Sequence, residues 1–243
     1  ETRKFVERYI KAAHCDLFFA DAVILVEGSA EKILIPYFIR ERYEKLNQCY
    51  ISILEVGGSH AHRLEPLIEQ LGLFCLVITD LDAAKEKEKT YPARNCGQKT
   101  TNPTLNKWLK KTEVDDLINL PEEKKILKGK QGSSVYFCYQ QEVDCSEDKF
   151  KKIIPSTFED AMFVENCQFF VTIKEARGLV SSFCEAYNKS KDFEDWKKNM
   201  LNILKKSGGQ KAQFALDILC SIDFSLFHIP AYIAKGLAWL EKN

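Results

Sequence analysis

Two stretches, Ala22-Val23-Ile24-Leu25-Val26-Glu27-Gly28 and Phe74-Cys75-Leu76-Val77-Ile78-Thr79-Asp80-Leu81-Asp82, decide the fold of this 243-residue chain. Each is a β-branched-rich apolar run that stops at an acid, the pattern of a buried parallel strand. A third run, Tyr50-Ile51-Ser52-Ile53-Leu54, stops at Glu55 and then at Gly57-Gly58. In open α/β sheets, functional groups collect in the crevice beyond the carboxyl ends of such strands. Several carboxylates delivered to one crevice repel one another unless cations lie between them. The pattern points to a divalent-metal site.

Working outward, the segments between these runs turn helical. Residues 3–20 read as a helix leading into the first strand, with Phe5, Tyr9, Ile10 and Ala13 at helical spacing. Ala30 to Tyr43 reads as a second helix with Ile33, Leu34 and Phe38 inward, and 61–71 as a third. Strand and helix alternate, which gives βαβ units and a parallel sheet. Residues 83–100, opening with the mixed-charge run Lys85-Glu86-Lys87-Glu88-Lys89, read as a long polar loop. Asn102-Pro103 marks a helix start. Short helices are expected over 104–110 and 113–120, and a last strand from Val135 to Tyr139.

Beyond Thr157 the pattern is wholly helical, over 158–166, 173–188, 192–206, 210–219 and 230–242, with Gly208-Gly209 as a break. The fold class is α/β: a parallel-sheet core flanked by helices, with an added C-terminal all-helical subdomain. The division expected is 1–158 for the α/β domain and 159–243 for the helical subdomain. Phe169, Phe170, Phe183, Leu201, Leu204, Phe214 and Leu219 are expected among its buried residues.

Composition limits the function classes. At 45% hydrophobic and 12% aromatic residues the chain is not disordered. Thirty-five basic and 35 acidic residues leave no net charge, so composition alone carries no nucleic-acid footprint. No apolar run approaches the ~20 residues of a membrane helix, and no signal peptide is visible at the start. Nine cysteines without Cys-x-x-Cys spacing fit a reducing, cytoplasmic compartment, and zinc is not expected, since the close histidines His60 and His62 have no paired cysteines near them. The chain opens on Glu1, not Met, which reads as a fragment of a longer protein.

Four strings, LFFADAVILVEGSAEKILIP (17–36), LEVGGSHAHRLEPLIEQLG (54–72), CLVITDLDA (75–83) and QKTTNPTLNKWL (98–109), together resemble the OLD (overcoming lysogenization defect) family of nucleases. The Glu-Gly turn and the Asp-x-Asp step are similar to those of its Toprim domain. The resemblance is dense over 17–110 and thins afterwards to STFEDA (156–161) and GGQKAQFALDIL (208–219). It implies a Toprim-type sheet and an N-terminal ABC-type ATPase elsewhere in the full protein. The chain itself has no Gly-x-x-x-x-Gly-Lys-Ser/Thr loop for phosphates.

The candidate residues follow from both sources. Glu27 ends the first strand before a glycine, where the plain alternative is a solvated acid in a βα loop. Asp80 and Asp82, read as one face of an extended segment, make a hard-cation ligand pair. Their plain alternative is an Asx-type turn. The resemblance adds Glu31, an acid that a helix N-terminus would favour in any case. It adds Thr157 and Glu159 as a hydroxyl-x-acid step at a second metal site, although Thr157 also reads as a helix cap. Last, it implies a catalytic lysine at Lys211, where a fixed cation would stabilise charge on the reacting phosphate. Glu55, His60 and His62 are weaker candidates, since Gly57-Gly58 reads as close packing and a metal-activated water needs no separate base.

The expected function is DNA endonucleolysis by two-metal phosphodiester hydrolysis with Mg²⁺ or Mn²⁺. Glu27, Asp80 and Asp82 would anchor one ion, with Glu31, Glu159 and Thr157 at the other; Glu27 and Lys211 form the catalytic pair. The expected partners are DNA, the ATPase domain of the full-length chain and a second copy in a homodimer, with no membrane. Two other classes compete: a Toprim module that binds DNA or a partner without cutting, and a topoisomerase-like strand-passage enzyme. The second needs a tyrosine nucleophile, and none of the nine tyrosines has a recognisable context.

Overall fold

The structure, a computed structural model, describes residues 15–57, 60–144, 152–173, 177–221 and 227–243. The expected helix over 3–20 lies mostly outside them, and its described end, Cys15–Phe19, is a 3-10 turn. The central sheet then begins with β1 (Ala22–Val26), whose five residues are all buried. Helix α1 (Ser29–Arg42) follows, with Ala30, Leu34, Ile35 and Phe38 inward. The short α2 (Glu44–Asn47) leads to β2 (Ile51–Glu55). A 3-10 turn (Ala61–Leu64) and α3 (Glu65–Leu71) lead to β3 (Phe74–Ile78).

The segment expected to be a polar loop is folded. It contains β4 (Ala83–Lys85), β5 (Glu88–Lys89) and β6 (Lys99–Thr100), which form a separate antiparallel sheet in the order β5-β4-β6. The buried residues Ala83, Ala84 and Tyr91 anchor it. Helices α4 (Pro103–Lys107) and α5 (Val114–Ile118) come next. They are followed by β7 (Ile126–Lys128), which the sequence does not announce, and β8 (Ser134–Cys138).

The main sheet has the order β2-β1-β3-β8-β7, with β7 antiparallel to β8 and the other pairs parallel. Because β1 leads to β2 on one side and β3 joins its other side, the topological switch point falls between β1 and β3. Ligands of open α/β sheets bind at that crevice.

The strands alternate faces with period two. Val23, Leu25, Cys75, Val77 and Phe137 point to the face covered by α3, α4 and α5. Ala22, Ile24, Val26, Leu76 and Ile78 point to the other, under α1 and the C-terminal helices. Those helices are α6 (Phe158–Glu165), α7 (Cys167–Phe170), α8 (Gly178–Lys189), α9 (Phe193–Lys206), α10 (Lys211–Ser221) and α11 (Ala231–Leu240). Phe170, Phe183 and Phe214 are fully buried there, whereas Phe169, Leu201, Leu204 and Leu219 are only partly buried against the same core. Helix α11 lies on β3 and β8 at Gly236, where an added Cβ would sit 2.5 Å from Cys138 Sγ and 2.7 Å from Leu76 Cδ1. Among the described residues no helix is long and apolar enough to cross a membrane.

Candidate metal and active site

Glu27 follows β1 and Asp80 follows β3, so the two acids face each other across the switch point. Glu27 Oε1 accepts the Thr79 hydroxyl, the Asp80 backbone N–H at 3.1 Å and the Asn102 side-chain amide at 2.7 Å. Asp80 is 6% exposed, and its Oδ1 accepts the Gln140 amide at 2.7 Å. Burial pushes both carboxyls up; Asp80 stands well above the usual range, helped by Glu27, and Glu27 is raised further by Asp82.

Asp82 does not share a face with Asp80 in the way an extended segment would provide. Strand β3 ends at Ile78, and Asp82 takes a left-handed φ of 46°, a conformation Asp tolerates. Its carboxylate is partly exposed and pairs at 2.9 Å with Lys89, from the small antiparallel sheet. Burial opposes the Lys89 charge, but Asp82 and Asp80 outweigh it and raise the ammonium's pKa.

Glu31, in the first turn of α1, is 1% exposed, and its Oε2 has no hydrogen-bond partner. An added Cβ on Gly28 would come within 3.1 Å of that oxygen, so the glycine leaves room for the carboxylate to fold back over it. Burial, then Glu159, pushes Glu31 up to about 8, against the opposing pull of the Lys211 ammonium.

Glu159 lies in the first turn of α6, wholly buried, with neither oxygen in a hydrogen bond of good geometry. Lys211 reaches it from the start of α10, with Nζ 3.2 Å from Oε1. The lysine side chain is 28% exposed and passes close to Gly28, where an added Cβ would lie 3.8 Å from its Cδ. Burial disfavours its charge, yet Glu159, Asp80 and Glu31 more than compensate and raise its pKa. Lys211 is thus turned toward the acids and away from bulk solvent.

Thr157 is the N-cap of α6; its hydroxyl accepts the Asp160 N–H at 3.4 Å. In return, Asp160 Oδ2 accepts the Ser156 N–H at 2.7 Å and the Tyr91 hydroxyl at 2.5 Å. The cap fixes where Glu159 enters the crevice. Glu55 ends the edge strand β2, one strand beyond β1. His60, exposed, and His62 stand at the 3-10 turn that follows.

As the side chains lie, no group of three or more described His, Cys, Asp or Glu residues could hold a metal ion. The acids are spread among internal partners: Lys211 on Glu159, Lys89 on Asp82, and amides on Glu27 and Asp80. The donor set nevertheless suits a hard divalent cation, which takes carboxylate oxygens. Unpartnered buried oxygens carry a desolvation cost that such an ion would remove. Glu31 Oε2 and Glu159 Oε2 are of this kind.

Reading the sequence by motif misses Asn102 and Gln140. Asn102 announces itself only as a helix start, although it lies within the QKTTNPTLNKWL string. Gln140 stands just past β8, the position that identifies Glu27 and Asp80 on their own strands.

Residues 18–82 match the family described as overcoming lysogenization defect protein-like, TOPRIM domain. The chain carries an OLD-like Toprim domain. Among curated proteins, it is 31% identical to Endonuclease GajA of Bacillus cereus (strain HuB5-5), over 99% of this chain and 34% of that protein. A second Endonuclease GajA, of Bacillus cereus (strain VD045), is 32% identical over 52% of this chain and 21% of that protein. The chain therefore spans about a third or less of the length of these relatives. Among solved structures, the C-terminal region of the Burkholderia pseudomallei OLD protein aligns with a TM-score of 0.48 at 17% identity, covering 92% of this chain and 98% of that one. The corresponding region of the Xanthomonas campestris pv. campestris OLD protein gives 0.45 at 18%, covering 93% and 96%.

Proposed function

We propose that this OLD-like Toprim chain is the nuclease module of a longer ATPase–nuclease and that it hydrolyses DNA phosphodiester bonds with divalent metal. The observation that carries the reading is the meeting of Glu27, Glu31, Asp80 and Glu159 with Lys211 at the β1/β3 switch point. Their burial destabilises the fold, and an apolar packing role does not explain it. The likeness to proteins named endonuclease supports the same reading.

Mg²⁺ or Mn²⁺ ions bound there supply Lewis acidity toward the scissile phosphate and a nucleophile at neutral pH. Glu27, Asp80 and Asp82 hold one ion; Glu31 and Glu159 hold the second, with Thr157 beside it. The Lys211 ammonium, already fixed among the acids, stabilises negative charge developing on the phosphate. Such a fixed charge needs no reorganisation during the reaction. Asp82 would serve as a ligand only without its present pairing to Lys89. DNA is the substrate, and an N-terminal ABC-type ATPase and a second copy of the chain are the partners of the full protein. Residues 1–158 form the Toprim unit, and 159–243 form a helical subdomain that supplies Glu159 and Lys211.

The test is incubation of supercoiled plasmid with the chain in Mn²⁺ or Mg²⁺, with a chelated control. Stable nicks or linear products that vanish with chelator are the expected result. Unchanged plasmid at saturating metal, or relaxed topoisomers without nicks, would overturn the assignment.

A further inference from the structure

Two buried amides hold the acids on either side of the switch point. Asn102 is 1% exposed and Gln140 is 0% exposed. The Asn102 Nδ2 lies 2.7 Å from Glu27 Oε1, 2.7 Å from Thr79 Oγ1 and 2.8 Å from the Asp80 carbonyl oxygen. Its Oδ1 accepts the Thr104 N–H at 2.9 Å and so caps α4. The Gln140 Nε2 donates to Asp80 Oδ1 at 2.7 Å, while Oε1 accepts the Leu81 N–H at 2.8 Å.

In both residues a backbone N–H fixes the oxygen end of the amide, because only that end can accept. The NH₂ end is thereby aimed at the carboxylate and cannot flip without breaking two sets of bonds. The donors also fall unevenly. Among the described residues, every hydrogen bond to the Glu27 side chain ends on Oε1, and the bond to Asp80 ends on Oδ1. Each acid is gripped by one oxygen, and among the described residues no hydrogen-bond donor reaches its second oxygen.

A merely structural amide could satisfy its neighbours without this bias. Glu27 and Asp80 stand on separate strands, yet each receives its own amide, delivered from a different loop. Partners that orient metal-binding side chains contribute to affinity without touching the ion. Resting on the metal-dependent reading above, we infer that Asn102 and Gln140 are positioning residues, each clamping one oxygen of its acid and presenting the other to the ion.

Two variants test this. Asn102→Ser keeps an oxygen that can cap α4 but is too short to donate to Glu27. Gln140→Met keeps the volume of the side chain and removes the donor to Asp80. Binding of Mn²⁺ alone to the 243-residue chain is followed by the electron paramagnetic resonance of the free ion, and thermal melting without metal is followed in parallel. Loss of an orienting partner lowers metal affinity by about 10–100-fold, and this is expected in each variant whose melting remains cooperative. Should one variant fail to fold, the other carries the same test. Wild-type Mn²⁺ affinity in a folded variant, even one with a lowered melting temperature, would reduce the amides to structural roles and overturn the inference. A wild-type chain that binds no Mn²⁺ would overturn the metal-dependent reading itself, and the positioning role with it.

Discussion

The switch-point crevice and the aromatic layer beneath the C-terminal helices are both buried, and burial does opposite things in them. In the layer, Phe163, Phe170, Phe183, Phe214 and Phe227 form a continuous set of ring contacts, with centroids 5.4–6.4 Å apart along the pairs that join them. Rings at such spacings contribute their area and a further ~0.5–1.5 kcal/mol per pair. In the crevice, Glu31, Asp80 and Glu159 are buried as deeply, but the cost shows as raised pKa values at Glu31 and Asp80 and as oxygens without donors. Helices α6 and α10 each serve both regions. Helix α6 carries Glu159 and Phe163, and α10 carries Lys211 and Phe214. The aromatic layer fixes those two helices, and the helices hold the charged groups in place.

That contrast can be broken experimentally, beginning with the largest effect. Phe170→Ala removes a fully buried ring that touches Phe163, Phe214 and Phe227. It should destabilise the chain by about 3–5 kcal/mol, read as a lower denaturant midpoint. A loss under about 1 kcal/mol would show that the layer is not where stability resides.

Lys211→Ala leaves the buried Glu159 without its ion-pair partner and so should lower stability as well. In a variant that remains folded, single-turnover cleavage at saturating Mn²⁺ should fall by about 10²–10³-fold, by analogy with loss of an oxyanion-hole donor. Metal affinity should not fall, since an ammonium cannot ligate a cation. Equal rates for variant and wild type would return this lysine to a surface role.

Gly236→Ala brings a methyl group against Cys138 and Leu76. Overpacking of this kind costs about 1–3 kcal/mol, measurable by chemical denaturation. An unchanged midpoint would mean that α11 can retreat from the sheet freely.

The smallest effect concerns pH. Glu165 accepts the Ala231 N–H at 2.8 Å, and burial pushes its carboxyl up to about 7. An acid raised in the folded state binds more protons there than in the unfolded chain between its ordinary value and about 7. Stability from this group is therefore present at low pH and lost as pH rises through that window. Glu165→Gln keeps the acceptor and removes the charge. It should melt higher than wild type above pH 7 and converge with it below about 4.5, the ordinary value for Glu. A constant difference across the range would exclude the linkage.

Some of this is legible in the sequence, for physical reasons that differ by element. The runs at Ala22–Val26 and Phe74–Ile78 are visible because a parallel strand buried on both faces must be apolar throughout. The acids that end them are visible for the same reason. The C-terminal helices keep a 3.6-residue period, which places α9 over 192–206 against the observed 193–206. The β4–β6 sheet is not legible, since strands of two or three residues carry no period and Lys85 to Lys89 reads as a solvated run. Asp82 reads as extended beside Asp80, but its positive φ depends on how the chain turns into β4. Asn102 and Gln140 have no local signature either. A neutral amide is ordinary anywhere, and only the tertiary fold shows what it donates to.

The crevice acids are proposed to serve chemistry at the expense of stability, and Asp80→Ala tests that most directly. Single-turnover plasmid cleavage at saturating Mn²⁺ is measured for the variant and the wild type, with thermal melting of both in the absence of metal. Removing one of several mutually repelling buried carboxylates relieves the strain that raises their pKa values. The expected result is cleavage reduced to background, with metal-free melting equal to or above that of the wild type. Wild-type cleavage by the variant, or a large loss of metal-free stability, would contradict the account.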